Sequence, residues 1–156
     1  DTAGSYNPID WTTRRFQPKG NEISDYEVAA ADVAFKLWPE HHKDFQVPYL
    51  PALSPGWDST PRYIIPKKRP EVPNRDEWPR CVIFDNESPA AFKAFVQASF
   101  AYLNQHPEVP NILTIACFNE WSEGHYLLPD NRFGFGMLDA LAEALEIKDS
   151  ALLHGQ

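Results

Sequence analysis

The sequence has few cysteines, little positive charge and no long apolar run, and each shortage excludes a class of protein. Two cysteines in 156 residues supply neither a disulfide framework nor a cysteine zinc set. Acidic residues outnumber basic ones by 22 to 14, which argues against a nucleic-acid or anionic-membrane partner. No apolar stretch reaches the roughly 18 residues of a transmembrane helix, so no membrane span is predicted.

Motifs for cofactor and metal chemistry are missing as well. No glycine-rich phosphate loop follows a firmly predicted strand, which disfavours a dinucleotide-binding sheet. No cluster of His, Cys and Asp has metal-ligand spacing, and no nucleophile elbow is present. His41 and His42 lie near a predicted helix end, where we expect them to be solvated. We therefore expect neither a metal nor an organic cofactor.

Proline, in contrast, is abundant. The chain has 15 prolines, about twice the average usage, and many of them lie between Pro48 and Pro89. Because proline fixes its backbone angle and donates no hydrogen bond, this crowding predicts long, shaped loops rather than a bundle of helices.

Apolar periodicity predicts three helices, at 23–45, 88–106 and 133–147. Asp25 or Ser24 is the expected N-cap of the first helix, and Ser88 that of the second, with Pro89 at its first position. The expected apolar face of the first helix consists of Val28, Ala31, Val33, Phe35, Leu37 and Trp38.

Short apolar runs between the helices predict buried strands. VPYLPAL (47–53) and NILTIACF (111–118) are the firm ones, and CVIF (81–84) is a third candidate. Alternating strands and helices predict an α/β fold with a parallel sheet. The long loops follow strands and the short connections follow helices, as in a (β/α)₈ barrel, whose active site lies at the carboxyl ends of its strands.

The number of strands, however, is too small for a closed barrel. Two or three strands cannot make an eight-stranded barrel of about 250 residues, and no strand is predicted before the opening loop. We therefore expect residues 1–156 to be a single domain that is the C-terminal part of a (β/α)₈ barrel and incomplete on its own. Its partner would be the missing N-terminal part, and we expect that the piece does not fold alone, because an open edge exposes unpaired strand groups.

Two carboxylates stand close together in ACFNEWSEGHYLLPD (116–130), directly after a predicted strand. Glu120 and Glu123 flank Trp121, and a pair of acids suits the cleavage of a glycosidic bond: one protonates the leaving oxygen and the other serves as base or nucleophile. The indole offers a flat face for a sugar ring, and Gly124 permits a sharp turn. The alternative is a solvated acidic pair or a helix cap.

A second candidate segment, SPGWDSTPR (54–62), also follows a predicted strand. Trp57 can stack on a sugar, and Asp58 and Arg62 can hold hydroxyl groups through charge-assisted hydrogen bonds. The alternative is a proline-shaped loop in which Asp58 and Arg62 pair with each other. In the acid-bearing segment, His125 either contacts substrate or makes a structural hydrogen bond. Tyr6 belongs to the opening loop, which we expect to lie on the same rim.

These two segments resemble the glycoside hydrolase family 99-like proteins, including the WbsX group. The resemblance covers residues from about 47 to 144 and implies a (β/α)₈ barrel. The hydrolases of that family are endo-acting α-mannosidases with an Asn-Glu-Trp-X-Glu-Gly motif, and its two glutamates match Glu120 and Glu123 here. The resemblance implies that Glu123 is the general acid/base. It implies that Glu120 acts as a base on the 2-hydroxyl, so that this sugar oxygen attacks the anomeric carbon.

The motif departs from the mannosidases at three positions. Ser122 stands where they carry histidine, and His125 and Tyr126 replace their Thr-Gln pair, which favours the WbsX-like branch. Substrate binding is expected from the residues that surround the acids on both segments and the opening loop: Tyr6, Trp57, Asp58, Arg62, Asn119, Trp121, His125 and Tyr126.

The leading hypothesis is a retaining glycoside hydrolase that cleaves an α-linked oligosaccharide or polysaccharide. A WbsX-type glycosyltransferase of polysaccharide biosynthesis is the first alternative. A carbohydrate-binding barrel without turnover is the second.

Overall fold

A computed structural model describes residues 2–4, 23–58, 61 and 83–146. Helices and strands alternate in these ranges, which confirms the predicted mixture of α and β structure. Within the described ranges no helix is long and apolar enough to cross a membrane. In chain order the elements are β1 (Ala3–Gly4), β2 (Ile23–Asp25), α1 (Tyr26–Asp32), a π-helical turn (Val33–Leu37), α2 (Trp38–Asp44), β3 (Tyr49–Leu50), β4 (Ala52–Leu53), β5 (Ile83–Asp85), α3 (Pro89–Gln105), β6 (Thr114–Ile115), β7 (Asn119–Glu120), a 3₁₀ turn (Trp121–Glu123), β8 (His125–Tyr126) and α4 (Gly136–Ala144).

The segment 49–53 lies between two other strands. Its first half, β3, pairs in parallel with β1, and its second half, β4, pairs in parallel with β6. The carbonyl of Pro48 accepts from Ala3 N at 3.0 Å, and that of Pro51 accepts from Thr114 N at 3.2 Å. Because successive carbonyls of a strand point to opposite edges, β1 and β6 lie on opposite edges of this segment. Pro51 lacks an N–H and separates the two pairings.

The described strands do not close into a barrel. They form four two-stranded pairs, of which three are parallel. The third parallel pair joins β2 to β5, the strand predicted in CVIF, which in the structure begins at Ile83. The expectation that no strand precedes the opening loop is wrong, because β1 stands there and pairs with β3.

The predicted buried strand NILTIACF is largely wrong in extent and burial. Only Thr114–Ile115 forms a strand, and the side chains of Ile112 and Phe118 are 50% and 56% exposed. The physical reason is that β6 has one partner strand, β4, in the described part of the chain, so the run is not enclosed on both sides. Cys117, expected to be buried, is only partly shielded from solvent.

The first helical region runs from Tyr26 to Asp44 with one irregular turn. Asp25 caps its start, since the carboxylate accepts from Val28 N at 3.0 Å as predicted. The π-helical turn Val33–Leu37 lies just before Pro39, at the second position of α2. Proline there donates no hydrogen bond to the carbonyl four residues back, so the helix widens locally and then resumes.

The buried face of this region differs from the predicted one. Val28 and Phe35 are 62% and 69% exposed, and Ala31 is exposed as well. Val33, Leu37 and Trp38 are buried as predicted. The prediction was wrong for the other three residues, because the region is rich in alanine and offers two apolar stripes. The face that enters the core comprises Tyr26, Ala29, Ala30, Val33, Ala34, Leu37 and Trp38.

Helix α3 packs against the buried face of the first helical region, and it also contacts α4. Ser88 caps α3 by accepting from Ala91 N at 3.1 Å, and Pro89 occupies its first turn, both as predicted. Trp38 stacks on Phe95 with ring centroids 5.3 Å apart and lies 5.5 Å from the ring of Tyr102. This aromatic contact forms the centre of the core between the helices.

Candidate functional site

The two segments singled out in the sequence lie against each other. The segment Ser54–Asp58 follows β4, and the acid-bearing segment follows β6. Because β4 and β6 are parallel neighbours, both segments begin at the carboxyl ends of these two strands, on the same edge. The acid-bearing segment, predicted as a plain loop, is an antiparallel hairpin in which β7 pairs with β8 and the 3₁₀ turn Trp121–Glu123 forms the tip. The hairpin therefore holds the acids on regular backbone.

Gly124 is what allows the hairpin to meet the other segment. Its φ of +57° belongs to the left-handed region, and a Cβ added there would lie 2.9 Å from Asp58 N. At the same point Asp58 N donates a hydrogen bond of 2.7 Å to the carbonyl of Glu123. The predicted need for glycine at this turn is confirmed, and close approach of Asp58 adds a second reason for it.

The two glutamates differ in environment. Glu123 is 9% exposed, whereas Glu120 is half-buried and its Oε1 accepts from Ser122 Oγ at 2.5 Å. Ser122, in the 3₁₀ turn that follows β7, thus holds the carboxylate of Glu120 through this hydrogen bond. Burial of Glu123 does not fit the alternative in which both acids form a solvated pair.

His125 joins the two segments through a buried hydrogen bond. Its Nε2 lies 2.9 Å from Ser54 Oγ, and that hydroxyl donates to the carbonyl of Gly56 at 3.0 Å. Because a hydroxyl has one hydrogen, Ser54 accepts from His125, whose Nε2 therefore carries the proton. Burial lowers the pKa of His125 to about 4, although the charge of Glu120 opposes this shift. Of the two interpretations of His125, the structural hydrogen bond is the one observed.

Aromatic side chains surround the contact between the hairpin and the segment Ser54–Asp58. Trp57 packs edge-on against His125, with ring centroids 5.5 Å apart. Trp121 is 46% exposed and stacks on Tyr126 at 4.1 Å between centroids. The Trp121–Tyr126 pair presents a flat apolar surface beside Glu120.

A cavity of about 140 Å³ opens next to the hairpin. It contains three of the predicted substrate-binding residues, Trp57, Asp58 and Tyr126. Glu120, Glu123, Asn119, Trp121 and His125 are not part of its wall. Among the described residues, the wall consists of Pro55, Trp57, Asp58, Phe84, Glu87, Gly124, Tyr126, Asp130, Phe133 and Met137.

Two acidic residues of this wall, Glu87 and Asp130, were not identified from the sequence. Asp130 ends the stretch LLPD, and its Oδ1 accepts from the backbone nitrogens of Arg132 and Phe133 at 2.8 and 2.5 Å. An Asp that opens a turn in this way is a recognisable local signal. Glu87 forms an ion pair with Arg132 and has no comparable signal in sequence.

Tyr126 and Asp130 form a hydrogen-bonded pair in the wall. The Tyr126 hydroxyl donates to Asp130 Oδ2 at 2.9 Å, and burial together with this hydrogen bond raises the pKa of Tyr126 to about 12. Desolvation acts to raise the pKa of Asp130, but the hydrogen bonds from Phe133, Tyr126 and Arg132 outweigh it and lower the pKa. Asp130 therefore lines the cavity as an ionised carboxylate. Tyr6 and Arg62, the remaining predicted substrate-binding residues, lie outside the described residues.

The chain is similar to two curated proteins and to one family model. It is 31% identical over 96 residues to the protein WxcX of Xanthomonas campestris pv. campestris, described as uncharacterized, in strains B100 and ATCC 33913. This alignment covers 61% of the chain and 12% of each relative, so the chain spans a small part of those proteins. No solved structure matches it significantly. The model of the carbohydrate-active family described as glycosyltransferase WbsX matches residues 5–141, most of the chain, and the chain therefore belongs to the WbsX family.

Proposed function

We propose that this chain carries the catalytic acids of a retaining glycoside hydrolase that cleaves an α-linked glycan. The observation that carries the proposal is the contact of the acid-bearing hairpin with the Trp57–Asp58 segment at the carboxyl ends of two parallel strands. Membership of a carbohydrate-active family supports a sugar substrate. The cavity beside the hairpin, with its Trp, Tyr and carboxylate side chains, supports binding of a polyhydroxylated ligand.

Each acid has a distinct role in the proposed reaction. Glu123 gives its proton to the oxygen of the leaving group, so the glycosidic bond breaks without release of an alkoxide. Glu120 takes the proton of the neighbouring 2-hydroxyl, and that oxygen attacks the anomeric carbon. Water then opens the resulting three-membered ring: Glu123 takes a proton from the water, Glu120 returns its proton to the 2-oxygen, and the configuration is retained overall. These roles rest on the likeness of the motif to the family 99 hydrolases.

The surrounding residues position the substrate and the hairpin. Trp121 stacked on Tyr126 supplies a face for a sugar ring, and Asp58 accepts hydroxyl hydrogen bonds. His125 acts as a positioning residue, since its buried hydrogen bond to Ser54 ties the hairpin to the neighbouring segment. Residues Asn119, Arg62 and Tyr6 complete the proposed substrate site.

We further propose that the strands belong to a (β/α)₈ barrel. Three strand segments, β1, 49–53 and β6, run parallel and lie side by side in the order in which they occur in the chain. Strands β2 and β5 lie between them in sequence and pair with each other. A helix stands between the second and third of them, and another follows the hairpin after β6. Neighbouring strands in chain order are the arrangement of a barrel, whereas a doubly wound sheet reverses its strand order.

The test replaces Glu123 with Gln in the full-length protein and measures release of reducing ends from a panel of α-linked glycans. Loss of the general acid should reduce the rate by about 10²–10⁴-fold. Glu143→Gln is the matched control, because this exposed acid pairs with Lys93 on the helices and should leave the rate unchanged. A glycan-cleaving rate that survives Glu123→Gln undiminished contradicts the assigned role.

A glycosyltransferase is the second candidate, favoured by the description of the family whose model matches. It requires a nucleotide-sugar site. Calorimetric titration with a set of nucleotide sugars distinguishes the two functions, since a hydrolase should show no saturable heat with any of them. Glycan binding in an array without product, and without nucleotide-sugar binding, indicates a carbohydrate-binding protein instead.

A further inference from the structure

A cluster of two histidines and one glutamate lies away from the proposed active site. His42 belongs to α2, His106 follows the last residue of α3, and Glu108 comes two residues later. One potential ligand atom from each of the three lies within 4.8 Å of the others. Helices α2 and α3 lead into the amino ends of β3 and β6, so this cluster lies toward the edge opposite the acid-bearing hairpin.

The distances in the cluster are close to those of a zinc site. His42 Nε2 lies 2.8 Å from Glu108 Oε1, and His106 Nδ1 lies 3.3 Å from the same oxygen. Ligands at zinc bond lengths of about 2.0–2.1 Å in a tetrahedron are roughly 3.3 Å apart. The three side chains therefore need only small rotations to surround an ion, and Glu108, the most exposed of them, is free to make the largest.

The surroundings fix the two imidazole rings. Their centroids are 4.1 Å apart, and the ring of Tyr102 lies 4.6 Å from that of His106. His42 Nδ1 is buried without a hydrogen-bond partner among the described residues, and Nε2 of the same ring faces the carboxylate of Glu108. In the absence of an ion both rings compete for one carboxylate oxygen, whereas an ion gives each ring a bond of its own.

We propose that His42, His106 and Glu108 bind a zinc ion that ties the end of α2 to the end of α3. Two imidazoles and a carboxylate are ligands that zinc takes, and water fills the fourth position. Because the cluster is on the opposite edge from the acids, the proposed site is independent of the proposed hydrolase function. The site has no local sequence signal, because His42 is separated from the other two residues by more than a whole βα unit.

The test is zinc titration of the untagged, metal-free full-length protein by calorimetry, together with the visible spectrum of the cobalt form. We expect one zinc per chain, a tetrahedral cobalt spectrum, and a thermal midpoint that rises with zinc concentration. His42→Ala, His106→Ala and Glu108→Gln should each weaken zinc binding at least about tenfold. Binding should also weaken as the pH falls, because protons compete for imidazole.

His41→Gln is the matched control, since His41 is the neighbouring histidine and packs on Phe45 and Tyr49 instead. It should bind zinc as the parent chain does. Glu108→Gln changes an exposed side chain, so its loss of binding does not reflect a failure to fold. Equal affinity in the parent chain and the His42→Ala/His106→Ala variant, or an equal loss in His41→Gln, overturns the proposal.

Discussion

Two regions of the molecule are held together by different forces. The helix layer, formed by the buried faces of α1, α2 and α3, is apolar and consists of aromatic and aliphatic contacts around Trp38. The loop layer, formed by Ser54–Asp58 and Asn119–Tyr126, is polar inside, because Ser54, Glu123 and His125 are all buried there. The helix layer gains its stability from the area that it removes from water, whereas the loop layer depends on specific hydrogen bonds.

This difference determines how each region responds to change. Apolar packing tolerates a volume-conserving apolar substitution at a cost of less than about 1.5 kcal/mol, because its contacts have no required direction. Buried polar groups do not, because an unsatisfied donor or acceptor carries its full desolvation penalty. A site that must hold two carboxylates in fixed positions is therefore better built from the loop layer, with the helix layer as its support.

The largest expected effect is in the helix layer. Trp38→Ala removes a fully buried indole that stacks on Phe95, and such truncations destabilise by about 3–5 kcal/mol. Urea unfolding followed by fluorescence measures the change. Phe35→Ala is the control: this exposed ring lies on the outer face of the same helical region, and we expect a loss of less than about 0.5 kcal/mol. Equal losses would show that the buried face is assigned wrongly.

Two glycines allow a cleaner test of the loop layer. Gly124 and Gly134 have nearly the same φ, 57° and 58°, but a Cβ would meet Asp58 N at 2.9 Å in the first and no atom within 4 Å in the second. Gly134→Ala should cost about 1–2 kcal/mol from backbone strain alone. Gly124→Ala should cost about 1–3 kcal/mol more, because Asp58 must move.

The same pair of variants reports on function. If contact between the segments is needed for the proposed site, Gly124→Ala lowers glycan-cleaving activity and Gly134→Ala does not. Similar unfolding free energies for both variants would contradict the close approach of the two segments.

His125 makes the stability of the loop layer depend on pH. Its folded-state pKa of about 4 lies below the ordinary value of 6.5, so between these values the unfolded chain binds a proton that the folded chain does not. The free energy of unfolding therefore falls as the pH drops from 6.5, by about 2 kcal/mol at pH 5 relative to pH 7.5. His125→Gln should remove this part of the pH dependence, and the difference between the two pH profiles measures it.

The sequence predicted the helix layer better than the loop layer. Ser88, Pro89 and Asp25 marked helix starts correctly, because capping depends on residues within one turn. The face of the first helix was predicted correctly only at Val33, Leu37 and Trp38, since alanines satisfy two stripes equally well. The face of the first helical region that becomes buried is the one that packs against α3, which is distant in sequence.

The loop layer was predicted in composition but not in structure. The acidic motif and the Trp57–Asp58 segment were identified, and their meeting followed from the parallel strands. The hairpin, Ser54 as the hydrogen-bond partner of His125, and the cavity residues Glu87 and Asp130 were not predicted. The His125–Ser54 hydrogen bond and the place of Glu87 in the cavity wall depend on contacts between residues far apart in the chain, for which a single sequence carries no local signal.

The smallest expected effect comes from replacing a tyrosine by phenylalanine, in one variant for each layer. Tyr102→Phe removes a buried donor to the carbonyl of Tyr49, and Tyr126→Phe removes a donor to Asp130. The buried carbonyl has no water to replace its partner, so Tyr102→Phe should cost about 1–3 kcal/mol. Asp130 keeps two backbone donors, so Tyr126→Phe should cost no more than about 1 kcal/mol.

A titration of Asp130 adds the decisive measurement for that comparison. The hydrogen bond from Tyr126 contributes to the lowered pKa of Asp130, so Tyr126→Phe should raise this pKa, and carboxyl-carbon NMR detects the change. Tyr102→Phe should leave it unaltered. A pKa of Asp130 that does not respond to Tyr126→Phe would mean that the carboxylate is held by its backbone donors alone. Tyr126 would then be free to turn toward a ligand, and the loop layer would be less rigid than its buried hydrogen bonds imply.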